Sequence, residues 1–322
     1  MEPLLKITGL KKYFTQGGFR KKSLKAVDGI DLEIYPGETV GLVGESGCGK
    51  STLGRAVINL LKPTEGHIYF QGEEISGYNT SQMRPLRQKM QFIFQDPYAS
   101  LDPRKTVFQL VKAPLDAFKV GTEQQRCEKV TDMLHFVGLN DYQFDKLPHE
   151  LSGGQRQRVV IARTMVLEPT FVVCDEPVSA LDVSVRAQVL NLMKKVQKGT
   201  DLAYLFISHD MSVVRYMCDK VAVMYLGRIV EFGTRKDIFE NPLHPYTRAL
   251  LSAVPIPDVK SRHQRIILSG DVPSPLDPPS GCHFHTRCPH ACAQCSQKAC
   301  ELRAVTQTHY VACPWAGNME VV

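Results

Sequence analysis

Residues 44–52 read Gly44-Glu45-Ser46-Gly47-Cys48-Gly49-Lys50-Ser51-Thr52, and the rest of the chain is best placed relative to them. Gly44, Gly49, Lys50 and Ser51 match the P-loop spacing of glycine, any four residues, Gly-Lys, then Ser or Thr. Before the loop, Thr39 to Val43 is a short apolar run of the kind that forms a buried parallel strand. After it, Leu53, Ala56, Val57, Leu60 and Leu61 recur at helical spacing. Strand, glycine loop and helix is what phosphate binding needs, because the unpaired N–H groups at a helix start then point at the anion. Gly44, Gly47 and Gly49 let the backbone wrap closely. The Lys50 ammonium suits the β and γ phosphates of a nucleotide, and the Ser51 hydroxyl suits Mg²⁺. The whole segment, with Glu45, Ser46, Cys48 and Thr52, is the expected phosphate site.

A chain of 322 residues has room for about two domains. Hydrophobic content of 43% with 22% charged residues is that of a globular protein with a full core. No run reaches the ~18 apolar residues of a membrane span, and Met1 to Ile7 lacks the pattern of a signal peptide. The expected location is the cytosol, unless a partner holds the protein at a membrane. A net charge of +6 is too mild to argue for nucleic acid, and the one basic cluster, Arg20, Lys21, Lys22 and Lys25, reads as a solvated loop.

Along the chain, Leu4 to Phe14 and Lys25 to Ile34 are expected as two strands joined by the Gly17-Gly18 loop, and Gly66 to Phe70 as a third. A polar, turn-rich stretch to about Arg87 precedes a strand from Met90 to Phe94. From Asp96 to Leu151 the pattern predicts helices broken by Pro97, Pro103, Pro114 and Pro148, with no strong strand. Gly153 to Leu167 reads as a helix, Phe171 to Cys174 as a buried strand, and Val189, Met193 and Val196 as one face of a helix that Gly199 ends. Ala203 to Ile207 is another strand, with Ser208-His209-Asp210 at its carboxyl end, the edge where open α/β sheets bind ligands. Strands at Val221 to Leu226 and Arg228 to Phe232 follow, then helices from Thr234 to Phe239 and Tyr246 to Val254. A linker carrying Pro255, Pro257, Pro273, Pro275, Pro278 and Pro279 leads to a cysteine-rich end. There is no internal repeat, so the chain holds one nucleotide-binding unit.

The apolar run Phe171-Val172-Val173-Cys174-Asp175 ends in a carboxylate suited to Mg²⁺, and Glu176 next to it is placed to take a proton from an attacking water. Leu151-Ser152-Gly153-Gly154-Gln155 puts a hydroxyl and two glycines at a second helix start, a second anion cradle. One nucleotide does not need two cradles. Taken together these residues resemble the ATP-binding subunit of an ABC transporter, in which the Leu-Ser-Gly-Gly-Gln of one subunit closes over ATP held by the P-loop of the other in a head-to-tail dimer. The resemblance implies an α/β P-loop NTPase fold with a mixed sheet, an N-terminal antiparallel β subdomain and an inserted helical subdomain. It implies ATP and Mg²⁺ as cofactors, with Ser51, Gln95 and Asp175 at the metal, and Glu176, Gln95 and His209 as the catalytic group. Gln95 corresponds to the Q-loop glutamine, Ser179-Ala180-Leu181-Asp182 to the D-loop, and His209 to the switch histidine. Phe14, with Tyr13 as alternative, takes the aromatic position that stacks on adenine.

Residues 94–104, 175–188 and His244-Pro245-Tyr246-Thr247, with the tail from Pro273 to Cys313, resemble the F-type ATPases of oligopeptide and dipeptide permeases over nearly the whole chain. This implies a nucleotide-binding domain over 1–231, with the helical part about 96–160, and an extension over 232–322. It also implies ATP-driven import of peptides, or alternatively nickel chelates or another small solute, at the cytoplasmic face of a bacterial inner membrane. The implied partners are two transmembrane permease subunits, a D-type ATPase and a periplasmic or lipid-anchored solute-binding protein, with no nucleic acid. A DNA-repair or chromosome ATPase of the ABC type would need a longer insertion between Gln95 and Leu151.

Six of the ten cysteines, Cys282, Cys288, Cys292, Cys295, Cys300 and Cys313, crowd the end of the chain beside His283, His285 and His290. Disulfides do not suit a protein working in a reducing cytosol. Thiolate-bound zinc, iron-sulfur and free buried thiols remain open on spacing alone. The family resemblance implies a 4Fe-4S cluster on Cys282, Cys288, Cys295 and Cys313, leaving Cys292 and Cys300 as extras, and zinc is the alternative.

Overall fold

The computed structural model describes residues 2–16, 22–254 and 266–316. Gly17, Gly18, Arg20 and Lys21 of the expected basic loop, and Pro255 and Pro257 of the linker, lie outside the described residues. Its strands are β1 (Leu5–Gln16), β2 (Lys22–Ile34), β3 (Thr39–Val43), β4 (Glu65–Phe70), β5 (Glu73–Glu74), β6 (Met90–Ile93), β7 (Phe171–Asp175), β8 (Ala203–Ile207), β9 (Lys220–Tyr225), β10 (Arg228–Thr234), β11 (Arg303–Ala304) and β12 (Tyr310–Val311). The chain forms two compact units, one from residues 1–34, 39–77 and 207–322, the other from 35–38 and 78–206.

In the first unit, β2, β1, β4 and β5 form an antiparallel sheet in that order. Alternation explains it: Leu5, Ile7 and Leu10 of β1 face Ile34, Leu32 and Ile30 of β2, and Leu5 and Ile7 face Phe70 and Ile68 of β4. All of these side chains are buried, so the shared face is apolar throughout. A mixed sheet accompanies it. There β3 runs parallel to β9, β9 antiparallel to β10, and β10 antiparallel to β12, which pairs β11. Thus the tail adds two short strands at the β10 edge, a feature the sequence pattern did not suggest. The Lys50–Val57 helix follows the P-loop and buries Leu53, Ala56 and Val57. It stops earlier than the apolar spacing predicts: Asn59 takes φ 54° and Leu60 is exposed.

In the second unit β6 and β7 pair in parallel, and the five residues of β7 are all buried. Around them stand the helices Val107–Phe118, Glu123–Phe136, Gly153–Met165 and Val183–Gln197. Pro114 does not break a helix as expected. It lies inside Val107–Phe118, which starts at a Thr106–Gln109 capping box and buries Val107, Leu110, Val111 and Leu115 against its neighbours. The turn-rich stretch before Arg87 holds a helix, Thr80–Leu86, set by an Asn79–Gln82 capping box and tolerating Pro85 near its end.

Candidate functional site

In the first unit the P-loop joins β3 to its helix with Gly44, Gly47 and Gly49 at φ 151°, 79° and 107°. Two of these glycines are compelled by packing as well. A Cβ on Gly44 would stand 2.1 Å from the Met224 carbonyl oxygen, and one on Gly49 1.9 Å from that of Ala26. Lys50 is buried, and its Nζ donates to the Gly44 and Glu45 carbonyls at 2.8 and 2.9 Å. Cys48 is buried beside it, and burial pushes its thiol pKa up. Ser208, just before His209, donates its amide to Leu42 of β3 at 3.2 Å, so the His209 segment is tied to the P-loop strand. His209 itself is exposed, and Asp210 caps the Met211–Met217 helix that follows.

Of the two candidate aromatics, Tyr13 has a partner of its own. Its hydroxyl donates to Asp28, which also accepts Arg228 Nη2 and Nε at 2.7 and 2.9 Å. Burial works against the Asp28 charge, but Tyr13 and Arg228 outweigh it and the carboxyl pKa is lowered. Phe14 is half-buried, with Lys12 Nζ 5.1 Å from its ring centre.

In the second unit, Gln95 and Glu176 meet. Gln95 Nε2 donates to Glu176 Oε2 at 3.0 Å. Glu176 sits in the left-handed region at φ 47°, an unusual conformation for a glutamate and one that functional turns often hold. The turn is closed by Ser179, whose amide and hydroxyl donate to the Glu176 carbonyl at 3.3 and 3.1 Å. Asp175 is 1% exposed at the end of β7. Asp182 is the N-cap residue of the Val183–Gln197 helix.

Ser152 and Gln155 form a capping box on the Gly153–Met165 helix: the Ser152 hydroxyl accepts the Gln155 amide at 3.3 Å and Gln155 Oε1 accepts the Ser152 amide at 2.9 Å. A Cβ on Gly154 would meet Val185 Cγ1 at 2.3 Å, whereas one on Gly153 would find only ordinary contact with Leu181. Gly154 therefore has a packing reason to be glycine, and Gly153 has none in this chain alone.

All ten cysteines of the chain are free thiols, the six of the tail among them. Cys282, Cys288, Cys295, Cys300 and Cys313 line one cavity of about 20 Å³ together with His244, Phe284 and Trp315. A hydrogen bond with Cys300 lowers the Cys282 thiol pKa, while burial pushes Cys288 up to about 11. The expected cluster is not matched by a finished ligand geometry: among the described residues no group of three or more His, Cys, Asp or Glu is arranged to hold a metal ion.

Two residues at the P-loop escaped the sequence reading. Tyr246 accepts the Glu45 amide at 2.8 Å, and Arg287 grips the Glu45 carboxylate at 2.8 and 3.2 Å. They stand 201 and 242 positions from Glu45, so no local pattern announces them.

A phosphate loop, a strand ending in Asp175 with Glu176 next after it, and a capped Leu-Ser-Gly-Gly-Gln helix define an ATP-binding cassette. Comparison with known proteins agrees. The ABC transporter family matches residues 27–179, and the oligopeptide/dipeptide transporter C-terminal region matches residues 230–295. The oligopeptide transport ATP-binding protein AppF of Bacillus subtilis is 49% identical over 97% of each chain. OppF of Escherichia coli, also an oligopeptide transport ATP-binding protein, is 49% identical over 91% of each. The cassette MJ0796, in a dimeric post-hydrolysis state bound to ADP and Pi, superposes with TM-score 0.66 at 27% identity, covering 72% of this chain and 98% of that one. The chain belongs to the ATP-binding subunits of the oligopeptide/dipeptide family of ABC transporters. Among the described residues no helix is long and apolar enough to cross a membrane.

Proposed function

We propose that this chain is the F-type ATP-hydrolysing subunit of a bacterial importer of di- and oligopeptides, peripheral at the cytoplasmic face of the inner membrane. The observation that carries the hydrolytic part is the Gln95–Glu176 hydrogen bond, which holds the carboxylate beside the end of β7. Family membership carries the transport part. On this reading the P-loop amides and Lys50 hold the β and γ phosphates, and Ser51, Asp175 and Gln95 would hold Mg²⁺, which when bound would supply charge neutralisation at the phosphates. Glu176 takes the proton of the attacking water, His209 contacts the γ phosphate, and Phe14 stacks on adenine. Ser152 to Gln155 serve the ATP of a D-type partner in a head-to-tail dimer, with Asp182 at the interface. Gly153, free of any packing reason to be glycine, fits close approach by that second nucleotide.

The remaining assignments follow from the same reading. The nucleotide-binding domain is 1–231 with its helical part about 96–160, the surface of residues about 96–150 docks a permease subunit, and the extension is 232–322. Two permeases and a solute-binding protein complete the transporter. The test is purification from membranes through a tag on this chain. A complex of two permeases and a second ATPase, with ATPase activity raised by peptide-loaded binding protein, is the expected result. A chain recovered alone, or a complex indifferent to peptides, would refute it.

For the tail we propose thiolate-bound metal on Cys282, Cys288, Cys295 and Cys313, as a 4Fe-4S cluster with zinc as the alternative. The support is the donor set, four thiols lining one cavity, of a kind that binds either. Bound there, the group would cross-link the tail. Anaerobic purification with iron, sulfide and zinc analysis decides: one equivalent of zinc without labile sulfide removes the cluster, and no metal removes both.

A further inference from the structure

Glu45, at the first variable position of the P-loop, is held at three of its groups. Its carbonyl accepts Lys50 Nζ at 2.9 Å, its amide donates to the Tyr246 hydroxyl at 2.8 Å, and its carboxylate takes both terminal nitrogens of Arg287. Two of those three partners come from the C-terminal extension. Arg287 lies in the segment between Cys282 and Cys288 and is only 8% exposed. The segment is itself anchored. Phe284 is buried with its ring centre 5.3 Å from that of Tyr225, 5.4 Å from Tyr246 and 5.6 Å from His244. Tyr225 and Tyr246 are buried against each other at 4.8 Å.

We propose that Arg287 is a positioning residue of the P-loop, through which the cysteine-bearing segment sets the affinity for ATP. The inference rests on the reading of Gly44 to Thr52 as the ATP site. A bidentate guanidinium fixes the plane of a carboxylate as well as its position. With the carboxylate and the amide of Glu45 both pinned, the peptide between Gly44 and Glu45 cannot turn. The Gly44 and Glu45 carbonyls that hold Lys50 then keep their direction, and with it the ammonium meant for phosphate. A part-buried ion pair is a poor source of bulk stability compared with apolar packing, so its value here lies in fixing one geometry. Coupling of this kind is reciprocal: nucleotide on the loop must steady the tail segment as much as the segment steadies the loop.

The test uses the full chain, a fluorescent non-hydrolysable ATP analogue, and ATPase kinetics in the assembled transporter. Arg287→Gln and Glu45→Gln are each expected to weaken analogue binding by about tenfold, the scale of one charge-assisted hydrogen bond, and the double variant by no more than either single. In Arg287→Gln the KM for ATP rises while kcat changes by less than about twofold. Arg287→Lys, which keeps the charge and loses the fork, falls between and covers the case in which the glutamine variant does not fold. Hydrogen exchange over residues 282–290 slows when the analogue binds the wild type and does not respond in Arg287→Gln. Wild-type affinity in both Arg287 variants, additive losses, or a tail indifferent to nucleotide in the wild type would each overturn the proposal. Failure of the wild type to bind ATP would instead overturn the reading of the loop, and the inference with it.

Discussion

Glu231, in the middle of β10, is fully buried, and its carboxylate accepts three hydrogen bonds: from His309 Nε2 at 2.7 Å, the Leu243 amide at 2.8 Å and the His244 amide at 2.9 Å. Glu231→Leu would leave all three donors without an acceptor. An orphaned buried donor costs ~1–3 kcal/mol, and breaking a buried pair by removing one partner costs ~3–5 kcal/mol. Since the leucine recovers some apolar burial, the expected loss is about 3–5 kcal/mol, a large part of the ~5–15 kcal/mol that holds a typical protein folded. The loss should fall first on the tail, because β12 pairs with β10 at Glu231 and Phe232 and His309 adjoins β12. His309→Phe removes one donor and leaves the carboxylate its two amides, so it should cost about 1–3 kcal/mol. Urea titration of the full chain gives the stability, and limited proteolysis followed by mass spectrometry shows whether cleavage enters residues 303–316. A Glu231→Leu protein that loses under about 1 kcal/mol, or that is cut elsewhere before the tail, would refute the reasoning.

Glu176→Gln should retain ATP binding while slowing hydrolysis in the assembled complex by ~10² to 10⁴-fold, as an amide cannot take the proton from water; near-normal turnover would end that assignment. Gly154→Ala should destabilise by ~1–3 kcal/mol through the clash with Val185 Cγ1, and Val185→Ala should restore most of it; a loss that persists in the double variant would place the cause elsewhere. Asp28→Asn tests the pair with Arg228 by its pH dependence. The folded pKa of Asp28 is lowered, so its stabilisation is full above the unfolded value of about 4 and is lost as pH falls through the folded one. The gap between wild type and variant should be flat near neutrality and close in acid, and a gap that widened in acid would contradict the structure.

What could be read from the sequence was local. The strand, glycine loop and helix around Gly44 announce themselves because each is set by neighbours within a few residues, and the same holds for β7 before Asp175 and β8 before His209. Leu60 and Leu61 fit the helical period, yet the helix ends before them because Asn59 turns to positive φ. Pro114 suggested a break, but tertiary burial of Val107, Leu110, Val111 and Leu115 outweighs one missing backbone donor. Strands β11 and β12 have two residues each, too few for any periodicity to show. Glu231 was hidden for another reason: a glutamate inside an apolar strand gives no sign of the His309 it meets 78 positions later.

These long-range contacts share a pattern that bears on how the tail works. The tail clasps two acidic residues of its unit, part-buried Glu45 in the P-loop and fully buried Glu231 in β10, each answered by a buried basic or titratable side chain of the tail, Arg287 and His309. Apolar packing alone tolerates small slips of register, whereas a buried charged group left without its partner is costly, Glu231 in one clasp and Arg287 in the other, so each clasp is close to all-or-none. The two clasps differ in what they hold. Loss of the Glu231 clasp should free β12 while Phe284 still packs on Tyr225 and Tyr246, and so should spare nucleotide affinity. Loss of the Glu45 clasp should weaken nucleotide affinity while β12 stays paired to β10. Analogue binding and proteolysis measured on both Glu231→Leu and Arg287→Gln would therefore separate an anchor from a positioning contact. If the two variants gave the same profile in both assays, the tail would be acting as one undivided body and the distinction would fail.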